Sequence, residues 1–123
     1  MSDLENHLPL TPAVFHILMA LSDGEKHGYA IMRVVKETTG GRMVLGPGTL
    51  YGAIKRLQRE SLITESDYRP DPVIDDARRR YYQLTDLGRR VLVAESERLA
   101  DIVEYARRKN LLGADGARFG GEV

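Results

Sequence analysis

The chain has 123 residues, of which 18 are basic and 18 acidic, with 42% apolar, 29% charged and no cysteine. That length and balance describe one globular domain around a single modest core, and they exclude a wholly polycationic binder. The missing cysteines exclude a disulfide framework, a thiol nucleophile and cysteine-ligated zinc, and the absence of a signal-like start or an eighteen-residue apolar run predicts a cytoplasmic protein with no membrane contact.

Residues 1–10 read as a flexible polar arm. Thr11-Pro12 is a helix start, with Thr11 as N-cap and Pro12 at the first helical position. Val14, Ile17, Leu18 and Leu21 then recur at helical spacing until Ser22-Asp23-Gly24 breaks the pattern. A second helix is predicted from about His27 to Thr39. It buries Ala30, Ile31, Val34 and Val35 and turns Met32, Arg33 and Lys36 away, and Gly40-Gly41 ends it in the left-handed conformation.

The segment from Gly46 to Arg59 is the most informative. Gly46 would cap the third helix and Pro47 would open it. At about 100° per residue, Leu50, Ala53, Ile54 and Leu57 gather into one apolar stripe. Gly48, Gly52, Lys55, Arg56 and Arg59 fall on the far side, flanked by Thr49 and Tyr51, and no acid occurs between Arg42 and Arg59. A solvated helix usually mixes charge signs and avoids glycine, which costs about 1 kcal/mol in a helix interior. A basic, glycine-bearing face suits close approach to an anionic backbone.

Leu62 to Tyr68 and Arg78 to Thr85 read as two strands, and the prolines of Arg69-Pro70-Asp71-Pro72 mark the tip of a hairpin between them. Alternation puts Arg80 on the face of Tyr82 and Leu84, and Arg79 on that of Tyr81. Arg78, Arg79 and Arg80 could reach phosphates or be balanced by Asp75, Asp76 and Glu65, and the acidic tip favours contact at the wing's base. Thr85 caps a last helix that is predicted to run to about Leu112, about 40 Å in length. Leu92, Leu99 and Ala106 recur every seven residues with Ile102 and Val103 between them, which suits packing against another helix, although Glu95 and Lys109 interrupt the seam. Residues 113–123 read as a disordered tail.

The order of helix, helix, helix, hairpin and long helix predicts a mainly α (α+β) winged helix-turn-helix. Its parts are an arm (1–10), a DNA-binding domain (11–85), a C-terminal dimerisation helix (86–112) and a tail (113–123). In this arrangement the third helix enters the major groove and the hairpin reaches the adjacent backbone. Other chemistries find little support. Gly46-Pro47-Gly48 with Gly52 misses dinucleotide-binding spacing by one residue and lies in no strand-helix-strand unit. His7, His16 and His27 lack metal-ligand spacing, and Asp75-Asp76 has no nucleophile or oxyanion hole beside it. No catalytic residue, metal or cofactor is expected.

His27-Gly28-Tyr29, Pro47-Gly48-Thr49-Leu50-Tyr51, Ile54-Lys55-Arg56-Leu57, Leu62-Ile63 and Arg80-Tyr81-Tyr82-Gln83-Leu84-Thr85 with Gly88 occur in an order and spacing that resemble the PadR family of bacterial transcriptional regulators. The likeness runs from Thr11 to Leu92. It implies a homodimeric repressor of a neighbouring operon that a small molecule, often a phenolic compound or a drug, releases from a roughly two-fold operator. Gly46 stands where many relatives have serine, and Gly52 where proline is frequent. With no tryptophan in the chain, drug stacking between paired tryptophans is ruled out. The expected DNA contacts are Gly48, Thr49, Tyr51, Gly52, Lys55, Arg56, Arg59, Arg79 and Arg80. The expected dimer contacts are Leu92, Leu99, Ile102, Val103 and Ala106. The alternative is a winged-helix adaptor that binds a protein and no DNA, motivated by the zero net charge and the acidic wing tip.

Overall fold

A computed structural model describes residues 4–67 and 80–113. Helix α1 spans Pro12–Ala20, and the Thr11 hydroxyl accepts the Val14 N–H at 3.2 Å. Strand β1 (Lys26–His27) leads directly into α2 (Gly28–Thr38), whose cap is the His27 ring: Nδ1 accepts the Ala30 N–H at 3.2 Å. Gly40 and Gly41 follow with φ of 62° and 82°, and the Gly41 N–H closes onto the Lys36 carbonyl at 2.8 Å. That closure needs two left-handed residues in succession, which glycine adopts without a Cβ penalty.

Helix α3 spans Pro47–Arg59, and β2 (Ile63–Ser66) and β3 (Tyr81–Leu84) follow it. The sheet has the order β1-β3-β2 and is antiparallel throughout, pairing Lys26 with Tyr82 on one side and Glu65 with Tyr82 on the other. The third strand, β1, was not expected. Two residues are too short for an alternation pattern to show, and the helical spacing places His27 at the start of the second helix. Of the predicted strands, Leu62 forms no ladder, while Tyr68, Arg78 and Arg79 lie outside the described residues.

The core draws on the α-helices and on β2 and β3. Ile17 and Leu18 of α1, Ile31 and Val35 of α2, Leu50, Ile54 and Leu57 of α3, Leu62 and Ile63 at β2, and Val91 of the last helix form one buried cluster. Each such side chain contributes about 1.5–3 kcal/mol of transfer free energy. Met32, expected to point away, is half-buried against this cluster together with Val34. Its unbranched thioether can lie back along the helix where arginine and lysine reach for water.

Helix α4 spans Asp86–Arg108. Thr85 anchors its start twice: the hydroxyl accepts the Gly88 N–H at 2.9 Å and donates to the Ser61 carbonyl at 2.6 Å. The helix stops short of the expected Leu112. Asn110 takes φ 60°, and the Leu111 N–H closes onto the Ala106 carbonyl at 2.9 Å. Asparagine is the non-glycine residue best suited to that left-handed position, and it was overlooked as a stop signal.

The N-terminal segment also differs from expectation. Glu5–His7 forms one 3-10 turn, and Leu4, Leu8 and Leu10 pack on the core. The Leu10 N–H donates to Oε2 of Glu95 at 3.0 Å, and Arg98 grips the same carboxylate with Nε at 2.6 Å and Nη2 at 2.9 Å. Glu95 is only 1% exposed. The Arg98 guanidinium holds its carboxyl below the usual carboxylate range against the opposing effect of burial. The sequence hides this packing because the arm's leucines are interspersed with Glu5, Asn6 and His7, and because Glu95 interrupts an apolar repeat while being itself buried.

Candidate nucleic-acid interface

The exposed side of α3 is built as its sequence pattern suggests. Leu50, Ile54 and Leu57 are buried, Ala53 is half-buried, and Gly48, Thr49, Tyr51, Gly52, Lys55, Arg56 and Arg59 are all exposed. Gly46 caps the helix with backbone alone, its side having no atom to accept a hydrogen bond. A Cβ placed on Gly48 or Gly52 would meet nothing within 4 Å, so the protomer's own packing does not require glycine at either position.

Charge on this face is mostly uncompensated. Arg56 reaches Glu60, the C-cap of α3, at 3.8 Å, a loose exposed pair worth little. Glu60 is shared with the arm, where His7 Nδ1 lies 3.7 Å away. Lys55 and Arg59 make no ion pair among the described residues. At the base of the wing, exposed Arg80 pairs with Glu65 across the hairpin at 3.2 Å. That is the balanced arrangement that alternation alone could not distinguish from a phosphate contact. Arg79, Arg78 and the acidic tip at Asp71, Asp75 and Asp76 lie outside the described residues.

Helix α3 and the sheet enclose an open cleft of about 570 Å³ with Tyr51, Gly52 and Lys55 on one wall and Glu65, Arg80 and Tyr82 on the other. Burial pushes the Tyr82 phenol up from its ordinary value, and nearby Tyr51 and Glu65 add to the shift. The cleft thus brings two tyrosines together with Lys55 and the Arg80–Glu65 pair.

Tyr51 lies against a glycine of the His27-Gly28-Tyr29 motif. A Cβ on Gly28 would collide with the Tyr51 hydroxyl, so the first turn of α2 must be bare for the Tyr51 ring to lie across it. Gly88 has a similar but more rigid role, since a Cβ there would overlap the backbone carbonyl of Leu62. Both glycines belong to recognisable motifs, but a motif alone does not disclose which atoms fill the space of the missing side chain.

The second expected surface divides along α4. Leu92, expected on the dimer seam, is 5% exposed and belongs to the protomer's own core. Leu92, Glu95, Leu99, Ile102 and Ala106 share one stripe, and its N-terminal part is consumed by packing on α1 and the arm. Beyond Arg98 the described residues cover this side of α4 only in part: Leu99 and Ala106 are half-buried, while Ile102, Val103 and Tyr105 are exposed. A seven-residue repeat cannot tell a helix's own core from a partner's.

Set beside known proteins, residues 17–94 match the family model described as the transcriptional regulator PadR-like family. The chain belongs to that family. It is a family of transcriptional regulators and not of enzymes. An uncharacterised 37.1 kDa protein of transposon Tn4556 from Streptomyces fradiae is 39% identical over 84 residues, which cover 68% of this chain and 22% of that protein. The chain therefore spans about a fifth of that relative's length. A transcriptional regulator from Clostridium thermocellum shares the fold with a TM-score of 0.62 at 25% identity, covering 77% of this chain and 86% of that one. PadR of Bacillus subtilis, solved in complex with operator DNA, gives 0.57 at 27% identity over 68% of this chain and 46% of that one. The PadR-like architecture accounts for three helices, a small sheet and a C-terminal helix in this order. No helix among the described residues is long and apolar enough to cross a membrane.

Proposed function

We propose that this PadR-like protein is a homodimeric repressor that binds a two-fold operator through α3 and is released from it by a small-molecule effector. The observation that carries the reading is the acid-free exposed face of α3, with Lys55 and Arg59 unpaired among the described residues and two glycines that the fold does not need. Lys55, Arg56 and Arg59 supply charge and base contacts, Thr49 and Tyr51 fix the register on phosphates, and Gly48 and Gly52 admit the backbone. Arg80 contributes from the other side of the cleft, and Arg79, which lies outside the described residues, is assigned to DNA with it. Support for a DNA ligand comes from the B. subtilis PadR, whose structure was solved with operator DNA.

Dimerisation is assigned to the uncovered part of α4, namely Leu99, Ile102, Val103 and Ala106. Exposing that many apolar side chains along one stripe is costly in water, and a second copy would cover them. In such a dimer the crossing of the two α4 helices sets the separation of the two α3 helices. A ligand lodged between protomers shifts the equilibrium only if it binds the non-operator geometry better.

Gly52→Ala separates fold from function. In the interior of an exposed helix the change is expected to stabilise the protein by about 1 kcal/mol, raising Tm by several degrees. The added methyl group stands where the groove must approach, so operator affinity is expected to fall about tenfold, or about 1.4 kcal/mol. Thermal melting and fluorescence anisotropy on one preparation read both. A variant that gains stability and keeps full operator affinity would show that this face does not approach DNA closely.

A further inference from the structure

The cleft between α3 and the wing holds a polar group that the fold leaves unsatisfied. Tyr82 of β3 is only 5% exposed and lines the cleft, yet its hydroxyl makes no hydrogen bond among the described residues. Tyr51, Glu65 and Arg80 act on the phenol through charge alone, and all three line the same cleft. Burial pushes the phenol up from its ordinary value, so it stays protonated and presents an O–H donor. A buried donor without an acceptor is destabilising, and folded proteins seldom keep one without a use for it. The cleft also carries one uncompensated charge. Arg80 is engaged by Glu65 at 3.2 Å, whereas Lys55 makes no ion pair among the described residues. Tyr51 and Lys55 are one turn apart and project to the same side of α3. The hydroxyl end of Tyr51 abuts Gly28, which fixes the ring, and 41% of the residue stays exposed. At about 570 Å³ the space falls within the range of small-molecule sites, about 300–1,000 Å³.

We infer that this cleft is the effector site and that it takes a small planar aromatic monocarboxylate, which competes directly with the operator. The ring packs against Tyr51, the Tyr82 hydroxyl donates to the carboxylate, and Lys55 neutralises it. One negative charge on the ligand matches the one unpaired ammonium group of the cleft. Tyr51, Gly52 and Lys55 belong to the face assigned to the operator, so a seated ligand and DNA exclude each other. Release then needs no change in how two α4 helices cross. The inference rests on the DNA-binding reading and gives its effector a place and a chemical class.

The probe is benzoate, with benzamide as its neutral isostere and cyclohexanecarboxylate as a non-planar acid, all at constant ionic strength. Ligand-observed NMR on the DNA-free full chain measures binding, and anisotropy with labelled operator measures competition. The wild-type protein is expected to bind benzoate at least about tenfold more tightly than either control. Benzoate should raise the apparent operator Kd, and excess operator should restore full binding. Tyr82→Phe should weaken benzoate binding about tenfold and hold operator affinity without benzoate within about twofold. It should also melt no lower than wild type, because the hydroxyl serves the ligand and not the fold. Lys55→Gln, at an exposed position, should weaken benzoate binding by a similar factor in the DNA-free assay. Absence of benzoate binding by the wild-type protein, or binding unaltered in either variant, would overturn the site. Equal binding of the controls would overturn the ligand class. A fall in operator affinity that excess operator cannot reverse would overturn the competition. Absence of salt-dependent duplex binding by the wild-type protein would instead remove the DNA-binding reading and the competition with it, while the two variants still decide whether the cleft binds the acid.

Discussion

Lys55→Glu should lower operator affinity at least about a hundredfold while leaving the fold and the dimer unchanged. Two unit charges about 4 Å apart near a protein surface interact by about 4 kcal/mol before screening, and salt reduces that by a large fraction. A charge reversal turns the remaining attraction into repulsion, and a two-fold dimer suffers it twice. Even about 3 kcal/mol in total exceeds a hundredfold. Lys55 is exposed and makes no ion pair among the described residues, so its replacement removes no contact that stabilises the protomer. Surface substitutions of that kind usually change stability by no more than about 0.5 kcal/mol. The uncovered stripe of α4 lies on another element, so sedimentation should report the same oligomer. Anisotropy with labelled operator at two salt concentrations checks the prediction. Affinity unchanged at low salt would exclude α3 as the groove-entering helix.

Gly88→Ala should be the most damaging glycine-to-alanine change for stability among the described residues. The position sits in the first turn of α4, and a Cβ there would overlap the Leu62 carbonyl. That carbonyl is backbone, held in place by the Thr85 N–H at 3.1 Å, and Leu62 itself is 1% exposed. Unlike the Tyr51 ring over Gly28, it cannot rotate aside. Relief requires the start of α4 to lift away from the junction between α3 and β2, which loosens Val91 and Leu92 in the core. Overpacking of this kind costs about 3 kcal/mol, at the upper end of the usual range, and Tm should fall by on the order of 10 °C. Thermal or urea unfolding measures it. A Tm within a degree or two of wild type would show that α4 does not pack on Leu62 as described. Gly28→Ala should cost much less stability, because the flexible end of Tyr51 yields first.

Much of the fold is legible in the sequence. Thr11, Gly40-Gly41, Pro47 and Thr85 mark helix ends by local backbone chemistry, and each one sits where the structure starts or stops a helix. The stripe of Leu50, Ile54 and Leu57 followed from periodicity alone because α3 packs along one continuous side. The misses share a different physical origin. The arm, Leu92 and Glu95 depend on which distant element covers a given face, and a helical repeat reports that a face is apolar without saying what lies on it. Strand β1 owes its existence to pairing with β3 across more than fifty residues of chain. Glycines 28 and 88 were visible as motif letters, yet their function lies in atoms of Tyr51 and Leu62. The exposure of Lys55 and Arg59 on α3 is readable from charge pattern. The Arg80–Glu65 pair required the register of the hairpin.

The central claim is that two copies of α3 engage DNA from one dimer. It is tested most directly by hydroxyl-radical footprinting of the wild-type protein on DNA upstream of its own gene and the adjoining genes. Two protected tracts of equivalent pattern are expected, related by two-fold symmetry and centred about one helical turn, or about 34 Å, apart. Their protection should fade as salt is raised. No protection at low salt and saturating protein, with the dimer intact in sedimentation, would contradict it and favour a winged-helix adaptor that binds a protein partner.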